Sequence, residues 1–486
     1  MPDEDPRLRP ELGVTPDLIS LARGEDELLL ADASILKPLY VGRGREYITR
    51  FLGAVRDLRA AERITAAFPA DVALLRLLVE HRIVGPADAA AHRGAPPLLP
   101  SDPRAAGSRN AMSLYLLLSQ SCNLGCVYCL NGRRTYGTGG NLRMSEAVAF
   151  ASVAKCLEAL CPDGTLEIVF FGGEPLLNWE LAKQVIRHAE GPLKQQHPDK
   201  RVRYHLTSNL ALLPPDLIEW AHRHEITFLC DVDGPQPIHD ACRPAKHGGP
   251  SHAAVAGNIG RLVAAGLPVS LRATITSHNQ DAMLAIAAHH KELGGSASAF
   301  VPVNPVNSDE DILPESLLPS LETVMDGLAR VYRSKLWDKA ALFPFNVYVA
   351  HVYEGARNVV GCGAPYGNTP VVDVNGDVYP CIYLVGIRRF FLGNILSAAY
   401  PQPAVLDWMM GYLNVDTTAP CRGCEWRYIC GGGCPVGRLT VFQNPRASDA
   451  IVRYCHGVSC DLTKRVVELL LWDMAEEAAA AAGSGA

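Results

Sequence analysis

The sequence contains no run approaching the ~20 apolar residues of a membrane span, and its first residues, MPDEDPRLRPELG, hold no apolar core of a secretion signal. Membrane insertion and export are not expected, and the protein reads as cytoplasmic. An excess of positive charge is also missing: 45 Lys+Arg against 51 Asp+Glu leave a formal charge of -6. Nucleic acid is therefore not an expected partner. The 15 cysteines are an odd number, and in a reducing compartment they do not make a disulfide framework. The 15 histidines form no H-x-x-x-H pattern; His289 and His290 read as a solvated helix face. One further absence is local. The stretch SQSCNLGCVYCLNG carries Cys122, Cys126 and Cys129 but no fourth cysteine, whereas a structural zinc site or a ferredoxin loop recruits four protein ligands.

What is present is an ordinary globular composition, 48% apolar and 20% charged over 486 residues, which suggests roughly three domains of about 100 to 200 residues. In residues 1–95, the apolar runs DELLLADAS and KPLYVG precede helical patterns in REYITRFLGAVRDL and DVALLRLLVEHRIV. Two strands followed by helices fit a small winged-helix-like module. Acidic residues outnumber basic ones there, which argues against DNA and leaves peptide recognition through an added edge strand, or a purely structural lid. Residues 96–110, rich in Pro, Ala and Gly, read as a linker.

Over residues 111–340 the strand-like runs AMSLYLLLS, LEIVFFGG, VRYHLTSN, ITFLCDVDG, VSLRATIT and SASAFVPVNP alternate with amphipathic stretches such as SEAVAFASVAKCLEAL and HAAVAGNIGRLVAAG. Near-continuous apolar strands alternating with helices predict a parallel sheet covered by helices. Six units are too few for a closed eight-fold barrel, so the expected fold is α/β, a partial (β/α)6 barrel. In such barrels chemistry sits on loops after the strands. The three-cysteine loop follows the first strand; Gly172, Gly173, Glu174 and Pro175 follow the second. Two glycines allow a ligand to approach the backbone, and Glu174 offers an acceptor to a positively charged amine.

The C-x3-C-x2-C loop with an aromatic before its last cysteine, followed by GGEP, resembles the radical SAM superfamily. That resemblance implies a 4Fe-4S cluster on Cys122, Cys126 and Cys129, whose open iron binds S-adenosyl-L-methionine, and reductive cleavage to a 5'-deoxyadenosyl radical. The protein supplies positioning while the cofactor carries the difficult chemistry. DVDGPQPIHDACRP resembles the SxDG…HDxxR segment of the peptide-modifying branch, in which the first residue and the Arg contact SAM; Asp231 stands where Ser is usual, and Arg243 matches. The resemblance also implies an adenine contact from the backbone of Tyr128 and a SAM contact from Ser208.

Residues 341–475 carry Cys362, then GDVYPC ending at Cys381, then Cys421-x2-Cys424-x5-Cys430-x3-Cys434, then Cys455 and Cys460. This order resembles the SPASM extension, which implies two auxiliary 4Fe-4S clusters. Cys421, Cys424, Cys430 and Cys455 would hold the outer one, and Cys362, Cys381 and Cys434 the inner one. The inner set has three evident ligands; Cys460 would be the fourth, or an iron would stay open for a substrate thiolate. A zinc ribbon is the competing reading of C-x2-C. Residues 476–486 read as a flexible, fraying helix end. Cys156, Cys161 and Cys230 read as core residues, with Cys242 nearer the mouth.

The sequence DVYPCIYLVGIRRFFLGNI resembles maturases that form thioether crosslinks in ribosomally made peptides, which implies a precursor peptide as partner and an external electron donor such as flavodoxin or ferredoxin. Three alternatives stand beside it: carbon-carbon or carbon-oxygen crosslinking, sulfatase-maturase-like oxidation of Cys or Ser, and a non-catalytic iron-sulfur or zinc scaffold. Sulfatase maturases place an Asp directly after the Cys of G-x4-C, where this chain has Ile382. Loss of a positioned base typically forfeits ~10²- to 10⁴-fold in rate.

Overall fold

The computed structural model describes residues 12–14, 18–23, 27–32, 39–41, 45–87, 109–129, 143–306, 311–353 and 359–483. Five short strands belong to the N-terminal part: β1 (Leu12–Val14), β2 (Leu18–Arg23), β3 (Glu27–Asp32), β4 (Leu39–Val41) and β5 (Val84–Pro86). Strands β2, β3 and β4 form an antiparallel sheet, the helices α1 (Arg45–Leu58), α2 (Ala61–Ala67) and α3 (Val72–Glu80) follow, and β5 returns to pair with β1. The two expected strands are thus joined by others, because LISLAR alternates over six residues and pairs along its whole length with β3.

Period-2 alternation gives β3 two different apolar faces. Leu28 and Leu30 pack on Phe51 and Val55 of α1. Leu29 and Ala31, with Ile19, join a core that includes Leu469 and Trp472 of the terminal helix Asp449–Gly483. Arg23 lies over the Trp472 ring at 4.4 Å. The linker lies outside the described residues except for 109–110.

Six parallel strands then follow in chain order: β6 (Ala111–Ser119), β7 (Thr165–Gly172), β8 (Arg201–Ser208), β9 (Thr227–Asp231), β10 (Val269–Ile275) and β11 (Ala297–Pro302). They reproduce the six apolar runs read from the sequence to within a few residues. The outward face, including Leu114, Leu116, Ile168, Phe170 and Leu206, packs against Val153, Val185 and Ile186 of the covering helices. The opposite parity, Tyr115, Val169, Phe171, His205, Thr207, Leu229, Asp231, Arg272 and Thr274, lines the interior.

The sheet does not end with the sixth strand. A two-residue strand, β12 (Leu342–Phe343), adds parallel to β11, and at the far edge β13 (Val371–Val372) adds parallel to β6, followed by antiparallel β14 (Asp377–Tyr379) and β15 (Gly393–Asn394). The boundary expected near residue 340 therefore falls inside a continuous ten-stranded sheet. The tail expected to be flexible continues the terminal helix to Gly483, as its alanines favour. Lys339 Nζ pairs with Glu477 at 2.8 Å, and Arg23 pairs with Glu476.

His290 is also placed differently from its expected solvated face. It is fully buried, with Nε2 2.7 Å from the Val232 carbonyl and Nδ1 2.8 Å from Ser298 Oγ. A carbonyl only accepts, so Nε2 carries the proton and Nδ1 accepts from the serine. Burial lowers its pKa from 6.5 to about 4, against the opposing pull of the Val232 carbonyl. The unfolded chain binds the extra proton first, so this contribution is complete above the unfolded value and is lost as pH falls from about 6.5 towards 4, by roughly 3 kcal/mol at most. Thermal melts between pH 7 and pH 4 are expected to fall more steeply for wild type than for His290→Gln. Equal pH slopes would refute the assignment.

Candidate active site

The ends of β6 to β11 converge on a cavity of about 330 Å³ lined by Cys122, Cys126, Tyr128, Cys129, Gly172, Gly173, Ser208, Asn209, Asp231 and Arg243. The residues expected around SAM and its cluster are thus brought together with one exception, Glu174. The cause lies in how the second strand end grips the first. Gly173 N donates to Ser119 O at 2.7 Å and Glu174 N to Ser121 O at 2.9 Å. A β-carbon at Gly172 would stand 2.3 Å from Ser119 O, and one at Gly173 would stand 2.5 Å from Ser121 O. Gly172 also has φ 136°, a conformation that side chains disfavour. The glycines therefore admit the cysteine loop itself, rather than serving only the approach of a ligand.

Glu174 turns away from the cavity and is fully buried. Leu176 N and Ser208 Oγ donate to its Oε1 at 2.9 and 2.8 Å, and Asn209 N donates to Oε2 at 2.9 Å. The expected role as a direct acceptor for an amine is corrected accordingly: the carboxylate already receives three donors. Burial pushes its pKa up to about 7 against the pull of those donors. Ser208 reaches the cavity wall, but its hydroxyl faces Glu174.

The charged wall is a network of two acids and two guanidiniums. Arg272 holds Asp231 with two contacts, Nε–Oδ1 2.6 Å and Nη2–Oδ2 3.1 Å. Arg243 lies 3.5 Å from Asp231 and 3.0 Å from Asp233. Its guanidinium also lies 5.4 Å from the Tyr128 ring, and the Tyr128 hydroxyl donates to Asp233. Burial acts to raise Asp231, but Arg243 and Arg272 outweigh it and hold its pKa below the usual value. For Asp233 burial wins, and the pKa is raised. Sequence reasoning missed Arg272 and Asn209. The signal for Arg272 was a lone charge in the strand VSLRATI, on the same parity as Thr274.

A second cavity of about 600 Å³ shares Leu229, Arg272, Val301 to Asn304 and Tyr383 with the first, and is further lined by Tyr348, Cys362, Cys434 and Cys455. Cys434 is exposed although Gly433, Pro435 and Val436 beside it are buried, so its thiol faces this internal space. Burial raises Cys362 to about 11, with the charge of Cys434 adding to the shift. Burial likewise raises Tyr383 to about 12, opposed by Arg272 and reinforced by Cys434 and Cys381. Burial raises Cys430 to about 12, and Cys460 and Cys421 add to it; burial alone raises Cys455, also to about 12. The neighbourhood of Cys421 and Cys430 thus includes Cys460, where the outer set was expected to include Cys455. Arg438 Nη1 lies 3.8 Å from Cys421 Sγ. Cys156, Cys230 and Cys242 are buried, and Cys242 packs beside Tyr128 and Val303.

Burial also pushes the Cys122 thiol to about 11 and raises Cys126. Such thiols stay protonated at neutral pH until a metal displaces the proton. Among the described residues no three His, Cys, Asp or Glu converge on a single ion; the thiols of Cys122, Cys126 and Cys129 instead border a cavity. Soft sulfur donors around a space larger than one ion fit an iron-sulfur cluster with room for an additional ligand. An open depression of about 690 Å³ on the outer wall contains no cysteine, and there Lys183 already pairs with Asp216 at 2.7 Å.

Residues 116–289 match the family model described as the Radical SAM superfamily. This segment is a radical SAM domain. The serine-type anaerobic sulfatase-maturating enzyme of Bacteroides thetaiotaomicron is 24% identical over 363 residues, covering 68% of this chain and 84% of the relative. Native anSMEcpe with bound AdoMet superposes with a TM-score of 0.59 at 19% identity, over 75% of this chain and 99% of that chain. Streptococcus suis SuiB bound to precursor peptide SuiA superposes with a TM-score of 0.50 at 14% identity, over 88% and 96%. The structural likenesses establish the fold.

Gly173→Ala tests the grip on the cysteine loop. Its β-carbon would meet Ser121 O at 2.5 Å and Gln120 O at 2.8 Å, both backbone atoms that cannot rotate aside. Reconstituted protein is expected to lose about four irons per chain, one 4Fe-4S cluster. Full iron content with wild-type SAM cleavage would show that the loop tolerates displacement.

Proposed function

We propose that the protein is a radical SAM peptide maturase that installs a crosslink in a ribosomally made precursor peptide, most specifically a Cys thioether. The observation that carries this reading is that the two cavities are neighbours, with Arg272, the end of β11 and Tyr383 bordering both. One cavity bears Cys122, Cys126 and Cys129; the other bears Cys362 and Cys434. Cys122, Cys126 and Cys129 would hold the cluster that binds SAM, and the pair would supply the radical chemistry that removes hydrogen from the substrate. The chain's own residues orient the substrate and exclude water: Leu229, Val301, Pro302 and Val303 give apolar surface to both cavities.

Cys362, Cys381 and Cys434 would hold an inner auxiliary 4Fe-4S cluster in a SPASM-type extension. Cys421, Cys424 and Cys430 would hold an outer one, completed by Cys455 or by Cys460. A metal-held substrate thiolate at the inner set would be deprotonated and fixed in place. A one-electron donor such as flavodoxin or ferredoxin would serve the clusters, and a cytoplasmic location suits that supply. No helix among the described residues is long and apolar enough to cross a membrane. The relatives whose names describe sulfatase maturation support a second reading, oxidation of Cys or Ser in a protein. Ile382, next to Cys381, offers no base for it.

Anaerobic iron and sulfide analysis of wild type beside a Cys122/Cys126/Cys129→Ala variant tests the core of this proposal. About twelve irons falling to about eight are expected, with loss of 5'-deoxyadenosine formation. Zinc in the C-terminal sites, or roughly four irons in the wild type, would remove the two auxiliary clusters from the proposal. In the same assay Cys460→Ala is expected to lower iron content by about four more than Cys455→Ala does. The reverse order would return Cys455 to the outer set.

A further inference from the structure

Asn209 follows β8 directly and is buried. Its Nδ2 lies 3.6 Å from Cys122 Sγ and 2.8 Å from Asn123 Oδ1, and its Oδ1 accepts from Ala211 N at 2.9 Å. The amide therefore cannot flip without losing bonds at both ends: the oxygen would face Cys122 and Asn123, and the nitrogen would face an N–H donor. The backbone is equally constrained, because Asn209 N donates to Glu174 Oε2 at 2.9 Å. Leu124 N adds a second donor to Cys122 Sγ at 3.4 Å, and Arg243 Nη1 lies 3.8 Å from Cys126 Sγ. Side-chain donors from the end of β8 and from the C-terminal end of the helix Gln236–Cys242 thus reach two of the three sulfurs.

We propose that the Asn209 amide tunes the SAM-binding cluster, donating an N–H···S hydrogen bond to Cys122 that raises the cluster's reduction potential. The inference rests on the reading of Cys122, Cys126 and Cys129 as cluster ligands and adds a positioning residue to it. Reduction places one further electron on the cluster and its sulfurs, with no bond made or broken in the protein. A donor at sulfur stabilises that added negative charge more than it stabilises the oxidised state, so the potential rises. The amide is already oriented by Asn123 and Ala211, and no reorganisation is needed when the electron arrives. A neutral donor has a further advantage here, since it adds no net charge to a wall whose two acids and two guanidiniums already balance.

The test is an anaerobic redox titration of the full-length protein with dithionite, followed by electron paramagnetic resonance, for wild type, Asn209→Ala and Asn209→Leu. The signal that changes on adding SAM identifies the relevant cluster among any others. Both variants are expected to keep wild-type iron content and to show a roughly tenfold lower ratio of reduced to oxidised cluster at fixed potential, a shift of about 59 mV to more negative values for a one-electron couple. An unmoved potential with iron intact would overturn the inference while leaving the cluster reading in place. Loss of the cluster in both variants would also overturn it, because the amide would then serve to hold the loop. Absence of iron from this site in wild type would overturn the cluster reading and the inference together.

Discussion

A carboxylate buried without any counter-ion in contact has to be satisfied by hydrogen bonds, or it costs more than a small fold can offset. Glu174 meets that constraint with Leu176 N, Ser208 Oγ and Asn209 N, and the geometry of the site follows from it. The three donors come from the turn after β7 and from the end of β8. Through Gly173 N and Glu174 N the same turn holds Ser119 and Ser121 of the cysteine loop. Three consecutive strand ends are thereby fixed to one another before any metal is present. Truncating the carboxylate would leave these donors unpaired in the interior, so the four residues GGEP act as a unit.

The network around Asp231 obeys a related rule. In the resembling family a Ser is usual at this position, and the departure raises the question of what an ionised side chain is doing there. Arg272 answers it. A guanidinium on the inward face of β10, 23% exposed, needs a partner, and Asp231 on the neighbouring strand is registered directly opposite it. The pair is 2.6 Å apart. Arg243 then balances the remaining acid, Asp233, so that four charges enter the interior with none left over. Substituting Asp231 by Ser would strand Arg272; the two positions have to be read as one feature.

Much of this architecture was legible in the chain. The six barrel strands were visible because apolar, β-branched and aromatic residues recur along each and helical patterns separate them, and the cysteine loop was visible because C-x3-C-x2-C has few other uses. The misreadings have physical reasons. A glycine in a sequence reports that something comes close, not what it is; at Gly172 and Gly173 the close partner is the protein's own backbone. An acid beside a strand end reports a capacity to accept, which Glu174 satisfies internally. His290 sits on a helix whose neighbouring His289 is partly exposed, and only the position of Val232 and Ser298 draws it inward. Cys455 and Cys460 are five residues apart on one helix, so their spacing alone places them on different faces without saying which face meets Cys430.

The two cavities also differ in what they can admit. The first carries Asp231, Arg243 and Arg272 on its wall, whereas among the described residues lining the second only Arg272 has a fixed charge, and that charge already faces Asp231. A charged side chain moving into the second space would be desolvated with no partner waiting for it, a cost of several kcal/mol. The space therefore favours uncharged groups. Tyr383 borders both spaces, and Arg272, Cys434 and Cys381 all act on its hydroxyl electrostatically. Tyr383 shares that position with Arg272 and the end of β11, which border both spaces as well, while Ile382 lines only the first.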